Sequence, residues 1–300
     1  MAAAVEMLNI SKFYPGVVAT DHVSFSVDEG QVLGLIGENG AGKSTMMNML
    51  YGMTEPDIGT IKLFGKEVRI QSPTMAIKMG IGMVHQHFML MPNLSVLQNI
   101  ILGNTPTRKG LIDVKTAKEK INEIMKKYDL PVNLDEKIYQ LSVGEKQRVE
   151  IIKALYRNAR ILILDEPTAV LTPTETDKLL EVLRQLKSQG VTIIFITHKL
   201  REVMAITDKI VVMRKGLVTG TLSTKEARTD ALSDMMVGRK VNLEIPRAAY
   251  NPGEKVLEVK GLSALNQRGV PALKGVNLYV RKGEIVGIAG VEGNGQTELI

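Results

Sequence analysis

The sequence predicts an α/β fold in which a parallel sheet is packed between helices and interrupted by a helical insertion. Three observations carry this expectation. Val32–Ile36, Ile161–Leu164 and Val191–Thr197 are short, nearly all-apolar runs, the pattern of strands buried on both faces of a parallel sheet. A glycine-rich stretch, Gly37–Gly42, joins the first of these runs to a helical pattern over Thr45–Tyr51. The stretch 91–159 gives successive helical patterns instead; in INEIMKKYDL, Ile121, Ile124 and Met125 share one face.

Helix boundaries carry their own signals. Thr172-Pro173-Thr174-Glu175 offers an N-cap hydroxyl, proline at the first helical position and glutamate at the third, and Gly190 closes the segment. Ser142-Val143-Gly144-Glu145 repeats the same box. Met46, Met49 and Met53 fall at helical spacing and read as core filling.

Composition narrows the function classes. The 300 residues contain no cysteine, which excludes a disulfide scaffold, an Fe–S centre and thiolate zinc sites and points to the cytoplasm. Lys and Arg number 38 against 32 Asp and Glu, a net +6. Basic residues are interleaved with acids, as in Val114–Lys127, and only 4% of residues are aromatic. That is a solvated surface rather than a nucleic-acid face. No apolar run reaches the ~18–20 residues of a membrane span.

The chain repeats itself. Residues 16–42 align without a gap to 269–295, so Gly16, Gly30, Gly34, Gly37 and Gly42 recur as Gly269, Gly283, Gly287, Gly290 and Gly295. So long a period means duplicated domains rather than a solenoid. The expected organisation is a first domain over 1–240, with its helical insertion at about 91–159, a linker over 241–253 marked by Pro246, Pro252 and Gly253, and the start of a second domain over 254–300. Fewer than 50 residues do not bury an α/β core, so the chain reads as a piece of a longer two-domain polypeptide.

Gly37-Glu38-Asn39-Gly40-Ala41-Gly42-Lys43-Ser44 satisfies G-x-x-x-x-G-K-[ST], with a strand pattern before it and a helical pattern after it. Glycines let backbone N–H groups converge on phosphate oxygens, and the helix N-terminus adds positive potential. Lys43 is expected on the β- and γ-phosphates and Ser44 on Mg²⁺. Ile161–Leu164 ends in Asp165-Glu166, acids at the edge where open α/β sheets bind ligands. Asp165 suits Mg²⁺ coordination and Glu166 suits a general base toward water.

Leu141-Ser142-Val143-Gly144-Glu145-Lys146-Gln147 resembles the signature loop of the ABC ATPases. The resemblance covers about residues 5–240 and part of 254–300. It implies a P-loop NTPase (RecA-like) core with an antiparallel β subdomain, binding ATP and Mg²⁺. The nucleotide would be held by the loop Gly37–Thr45, including Glu38, Asn39, Ala41 and Thr45, and by Tyr14 stacking on adenine. It further implies that Gln86 senses Mg²⁺ and joins the core to the insertion, that His198 contacts the γ-phosphate, and that Ser142, Gly144 and Glu145 meet a γ-phosphate presented by another domain. His85 and His87 flank Gln86 without a third metal ligand in view.

Two departures refine the resemblance. Thr172 stands where the family usually has aspartate, as in the tandem ATPases of simple-sugar and nucleoside importers, and the wider string is more similar to the nucleoside type. In the second copy Gln296 replaces the lysine, Thr297 follows it, and Gln267 holds the adenine-stacking position. One competent and one degenerate site are expected. The implied partners are a second nucleotide-binding domain of the same polypeptide, integral-membrane permease subunits and, indirectly, a solute-binding lipoprotein, with no nucleic acid. The protein would work peripherally on the cytoplasmic face of the membrane. A soluble ABC ATPase on the ribosome or nucleic acid is the alternative; a P-loop kinase or GTPase leaves the signature and His198 without a role.

Overall fold

The computed structural model describes residues 3–108, 110–240, 252–266, 269–290 and 294–300. They belong to two compact units that divide between Val241 and Asn242. Most of the expected linker, together with Gln267 and residues 291–293 of the second glycine loop, lies outside the described residues.

The first unit opens with β1 (Ala3–Tyr14), β2 (Val17–Asp28) and β3 (Val32–Ile36), then α1 (Lys43–Leu50), β4 (Ile58–Leu63), β5 (Lys66–Val68), α2 (Pro73–Lys78) and β6 (Ile81–Val84). The insertion follows: α3 (Val96–Ile101), a hairpin of β7 (Thr107–Arg108) and β8 (Leu111–Ile112), α4 (Val114–Tyr128), a 3₁₀ turn at Ile138–Gln140 and α5 (Val143–Tyr156). The unit ends with β9 (Ile161–Asp165), α6 (Pro173–Ser188), β10 (Thr192–Ile196), α7 (Leu200–Ile206), β11 (Lys209–Arg214), β12 (Leu217–Ser223) and α8 (Thr229–Val237).

Two sheets result. Strands β2-β1-β4-β5 form an antiparallel sheet, and a six-stranded sheet has the order β12-β11-β3-β10-β9-β6. Pairings from β11 across to β6 are parallel, and only β12 on the edge runs antiparallel. Every residue of β3, β9 and β10 is buried, which is why these strands read as unbroken apolar runs. Their alternation sorts side chains between two cores. Leu162, Leu164, Ile193 and Phe195 face the insertion and α6. Ile161, Ile163, Ile194 and Ile196 face α1 and the antiparallel sheet. Each such side chain contributes about 1.5–3 kcal/mol on burial.

Both predicted capping boxes form: Ser142 with Glu145 opens α5, and Thr172 with Glu175 opens α6 behind Pro173. Within the insertion, Ile121 is buried and Ile124 and Met125 pack against the same core. Met46 and Met49 are core residues, whereas Met53 lies past the end of α1 and is 55% exposed.

In the second unit β13 (Lys255–Leu265) pairs antiparallel with β14 (Pro271–Arg281), and a short helix α9 (Gln296–Leu299) follows the glycine loop. Residues 285–289, which align with β3, form no strand; Ile285 is 98% exposed. An apolar run becomes a buried parallel strand only when neighbours cover both its faces, and no strand lies beside it among the described residues.

Candidate nucleotide-binding site

Four adjacent parallel strands deliver the candidate residues to one edge of the sheet. β3 leads into the glycine loop, β9 ends in Asp165 and Glu166, β10 leads to His198, and the outer strand β6 leads to Gln86. Such an edge, at the carboxyl ends of parallel strands, is where open α/β sheets place ligands.

The glycine loop is shaped by close approach. Gly42 caps α1 with φ 98°, and a Cβ there would lie 2.5 Å from the Ala19 carbonyl oxygen. Only glycine fits both demands. Lys43 is 6% exposed, and its ammonium donates to the Gly37 and Glu38 carbonyls at 2.8 and 2.9 Å. Burial lowers its pKa, opposed by the charges of Glu166 and Asp165. The ammonium is thus held at the centre of the loop beside two acids.

Asp165 is 9% exposed. Burial raises its pKa, a hydrogen bond from Ser44 lowers it, and the Glu166 charge adds to the rise. A carboxylate whose ionisation costs free energy gains from a cation. The Ser44 hydroxyl beside it and Gln86 in the same cleft complete an oxygen-rich donor set that fits Mg²⁺, which takes few protein ligands and keeps phosphate oxygens and water.

These groups line one cleft of about 480 Å³: Tyr14, Val17, Val18, Ala19, Asn39–Thr45, Gln86, Asp165 and Glu166. Tyr14, at the end of β1, is 45% exposed, and the Lys12 ammonium lies 5.7 Å from its ring centroid. Its neighbour Phe13 is equally exposed but is not part of the cleft. Val17, Val18 and Ala19 extend the apolar wall beside Tyr14, a contribution that no sequence motif marks. Glu166 has φ 46°, and its Oε1 lies 3.2 Å from His198 Nδ1.

Gln86 is exposed on a segment pinned just beyond it. Met89 donates its N–H to Glu150 Oε1 at 2.6 Å and accepts at its carbonyl from the Lys153 ammonium at 2.8 Å, both residues of α5. Met91 is held through N–H and carbonyl by the buried amide of Asn99 in α3. The helical insertion therefore grips the loop that carries Gln86. His85 packs edge-on against Tyr51 and burial lowers its pKa, while His87 is exposed. Among the described residues no group of three or more His, Cys, Asp or Glu could hold a metal.

Ser142, Gly144 and Glu145 are not in this cleft. They line a second one, of about 250 Å³, between α5 and α6. There Ser142 Oγ donates to Glu145 Oε2 at 2.8 Å. Glu175 accepts from the Thr172 N–H and hydroxyl at 3.0 and 2.9 Å and also from the Gly144 N–H, and these bonds hold its carboxyl below the usual range. The sequence spacing identifies Glu175 as a cap, but the bond across to Gly144 carries no spacing signal. A phosphate approaching Ser142 and Gly144 would compete with two carboxylates already in place.

A parallel-sheet core that carries a phosphate loop, a β9 acid pair and a helical insertion defines a nucleotide-binding cassette. The family model described as "ABC transporter" matches residues 20–169, half of the chain, and the chain belongs to that family. It is 47% identical over 323 residues to the glucose import ATP-binding protein TsgD13 of Haloferax volcanii, covering 98% of this chain and 59% of the relative. It is 48% identical over 296 residues to the nucleoside import ATP-binding protein NupA of Lactococcus lactis subsp. cremoris, covering 99% and 58%. The chain thus spans less than two thirds of the length of these relatives. Among solved structures, the ADP conformation of the ATP-binding cassette MJ1267 superimposes with a TM-score of 0.69 at 26% identity, covering 80% of this chain and all of that one.

Proposed function

We propose that this chain is the ATP-binding and ATP-hydrolysing part of an importer that takes up nucleosides or simple sugars. The observation that carries the reading is the single cleft gathering Lys43, Ser44, Gln86, Asp165 and Glu166, with His198 3.2 Å from Glu166. The names of the relatives, glucose import and nucleoside import ATP-binding proteins, supply the class of cargo. The alternative of a soluble ATPase on the ribosome or nucleic acid has no comparable support.

In this reading Tyr14 stacks on adenine, and the backbone of Gly37–Thr45 with Lys43 cradles the phosphates. Ser44, Asp165 and Gln86 hold Mg²⁺, which when bound neutralises charge on the β- and γ-phosphates. Glu166 takes the proton of the attacking water, and His198, paired with Glu166, faces the γ-phosphate. Ser142 and Gly144 serve the opposite site, completed by a second nucleotide-binding domain of the same polypeptide. Motion at the nucleotide reaches permease subunits through the insertion that grips the Gln86 segment, and a solute-binding lipoprotein acts upstream of them. Among the described residues no helix is long and apolar enough to cross a membrane; in this reading the chain works from the cytoplasmic face, held there by the permease.

The test is co-purification from native membranes followed by reconstitution in vesicles. The expected result is capture of integral-membrane partners, and ATP turnover that rises when nucleoside or sugar is supplied with its binding protein. Turnover with no membrane partner and no response to either solute class overturns the importer reading.

A further inference from the structure

We infer that Thr168, Lys199 and Glu202 are positioning residues for hydrolysis, a buried polar bracket that fixes Glu166 against His198. The inference rests on the reading of that pair as the groups acting on the terminal phosphate.

The starting point is backbone strain. Glu166 lies in the left-handed region at φ 46°, a conformation that costs a non-glycine residue free energy and persists only where the surroundings over-determine it. Its own N–H is tied to the Ile196 carbonyl at 3.0 Å, at the end of β10. Two residues further on, Thr168 is 1% exposed. Its hydroxyl donates to Glu202 Oε2 at 2.7 Å. The same oxygen of Glu202 accepts from the Thr197 hydroxyl at 3.4 Å. The Lys199 ammonium donates to the Thr168 carbonyl at 2.9 Å and to its hydroxyl at 3.3 Å, and lies 3.4 Å from Glu202 Oε1. The Lys199 N–H donates in turn to the Thr197 hydroxyl at 3.0 Å.

The two residues that flank His198 in sequence are therefore both tied to Thr168 on the Glu166 turn, one directly and one through Glu202. Lys199 does not swing without breaking its bonds to that turn, nor Thr197 without breaking its bond to Glu202, which Thr168 holds. Glu202 is 5% exposed, so the bracket sits where unmade hydrogen bonds are costly and its members stand or fall together. None of the three side chains lines the phosphate cleft. Their effect on chemistry passes through Glu166 and His198, whose separation they set. Misplacing such groups by about 1 Å costs on the order of 10²-fold in rate.

The test is steady-state ATP turnover of the full-length polypeptide. Thr168→Val, close in shape but without the hydroxyl, is expected to lower kcat about tenfold or more while KM for ATP stays within about twofold. Thr168→Ser restores the hydroxyl and is expected to restore most of kcat. Added to His198→Ala, Thr168→Val is expected to lower kcat no further, because both act on one geometry. Lys199→Met, at a side chain 38% exposed and therefore tolerant of change, gives the same kcat-selective loss if Thr168→Val does not fold. Parental kcat in Thr168→Val or Lys199→Met, or a loss that simply adds to that of His198→Ala, overturns the bracket. Parental turnover in Glu166→Gln and His198→Ala instead overturns the underlying reading of the site.

Discussion

Val32–Ile36 and residues 285–289 are the same stretch of two internal copies, and they behave differently. In the first copy all five residues are buried between β10 and β11. In the second, Ile285, Val286 and Ile288 are 98%, 41% and 50% exposed and form no strand. The hairpins that precede them, β1–β2 and β13–β14, form in both. Antiparallel pairing is local and needs only the hairpin itself. A central parallel strand needs partners from far along the sequence, here Lys209–Arg214 and Thr192–Ile196. The chemistry diverges as well, since Lys43 faces Gln296 in the alignment.

The largest effect that tests this asymmetry is on hydrolysis. Glu166→Gln in the full-length polypeptide is expected to lower turnover by about 10²–10⁴-fold with nucleotide binding intact, the contribution of a general base. Rapid-quench turnover near the parental rate would place hydrolysis in the second copy and break the comparison. Next comes an exchange of loop residues. Lys43→Gln, which gives the first loop the residue of the second, is expected to weaken nucleotide binding about 10- to 100-fold by loss of charged hydrogen bonds. The reciprocal Gln296→Lys adds a second tight site, so titration calorimetry of the two variants reads stoichiometries that move in opposite directions.

A smaller effect is expected at the adenine. Tyr14→Ala loses about 1–2 kcal/mol of stacking and apolar contact, measured as a shift in Kd, while Phe13→Ala leaves Kd unchanged because Phe13 is outside the cleft. The smallest concerns stability. The Asp165 carboxyl is held above the ordinary aspartate range chiefly by burial. A raised folded pKa stabilises the fold below the unfolded value and loses that stabilisation as pH rises through the folded one. At neutral pH the charged Asp165 is therefore a liability, and Asp165→Asn is expected to gain about 1 kcal/mol in thermal unfolding. The gain shrinks as pH falls toward the ordinary range; a gain independent of pH would refute the assignment.

Much of this was legible in residue order. The apolar runs Val32–Ile36, Ile161–Leu164 and Val191–Thr197 match β3, β9 and β10 to within a residue because full burial leaves no polar interruption. Ser142 and Thr172 were readable as caps because a capping box is a local pattern. The β7–β8 hairpin was not, since two residues a side around Gly110 carry no periodicity. Nor were the Glu175 bond to Gly144, the Glu150 and Asn99 grip on the Gln86 segment, or the Thr168–Glu202 pair. Each joins residues brought together by the sheet, and no spacing rule links residue 175 to residue 144. Position 172 shows the limit from the other side: as a cap it follows from the pattern, but what it couples to follows only from packing.

One likeness between the copies outlasts their divergence. Gly295 caps α9 at φ 90°, and a Cβ there would press on the Ala272 carbonyl at 2.8 Å, just as one at Gly42 would press on Ala19. The turn is policed by sterics in both copies, whereas the cation is policed only by the use made of it. The glycine at the head of the helix is thus demanded by the hairpin packed against it, whichever residue stands at the next position.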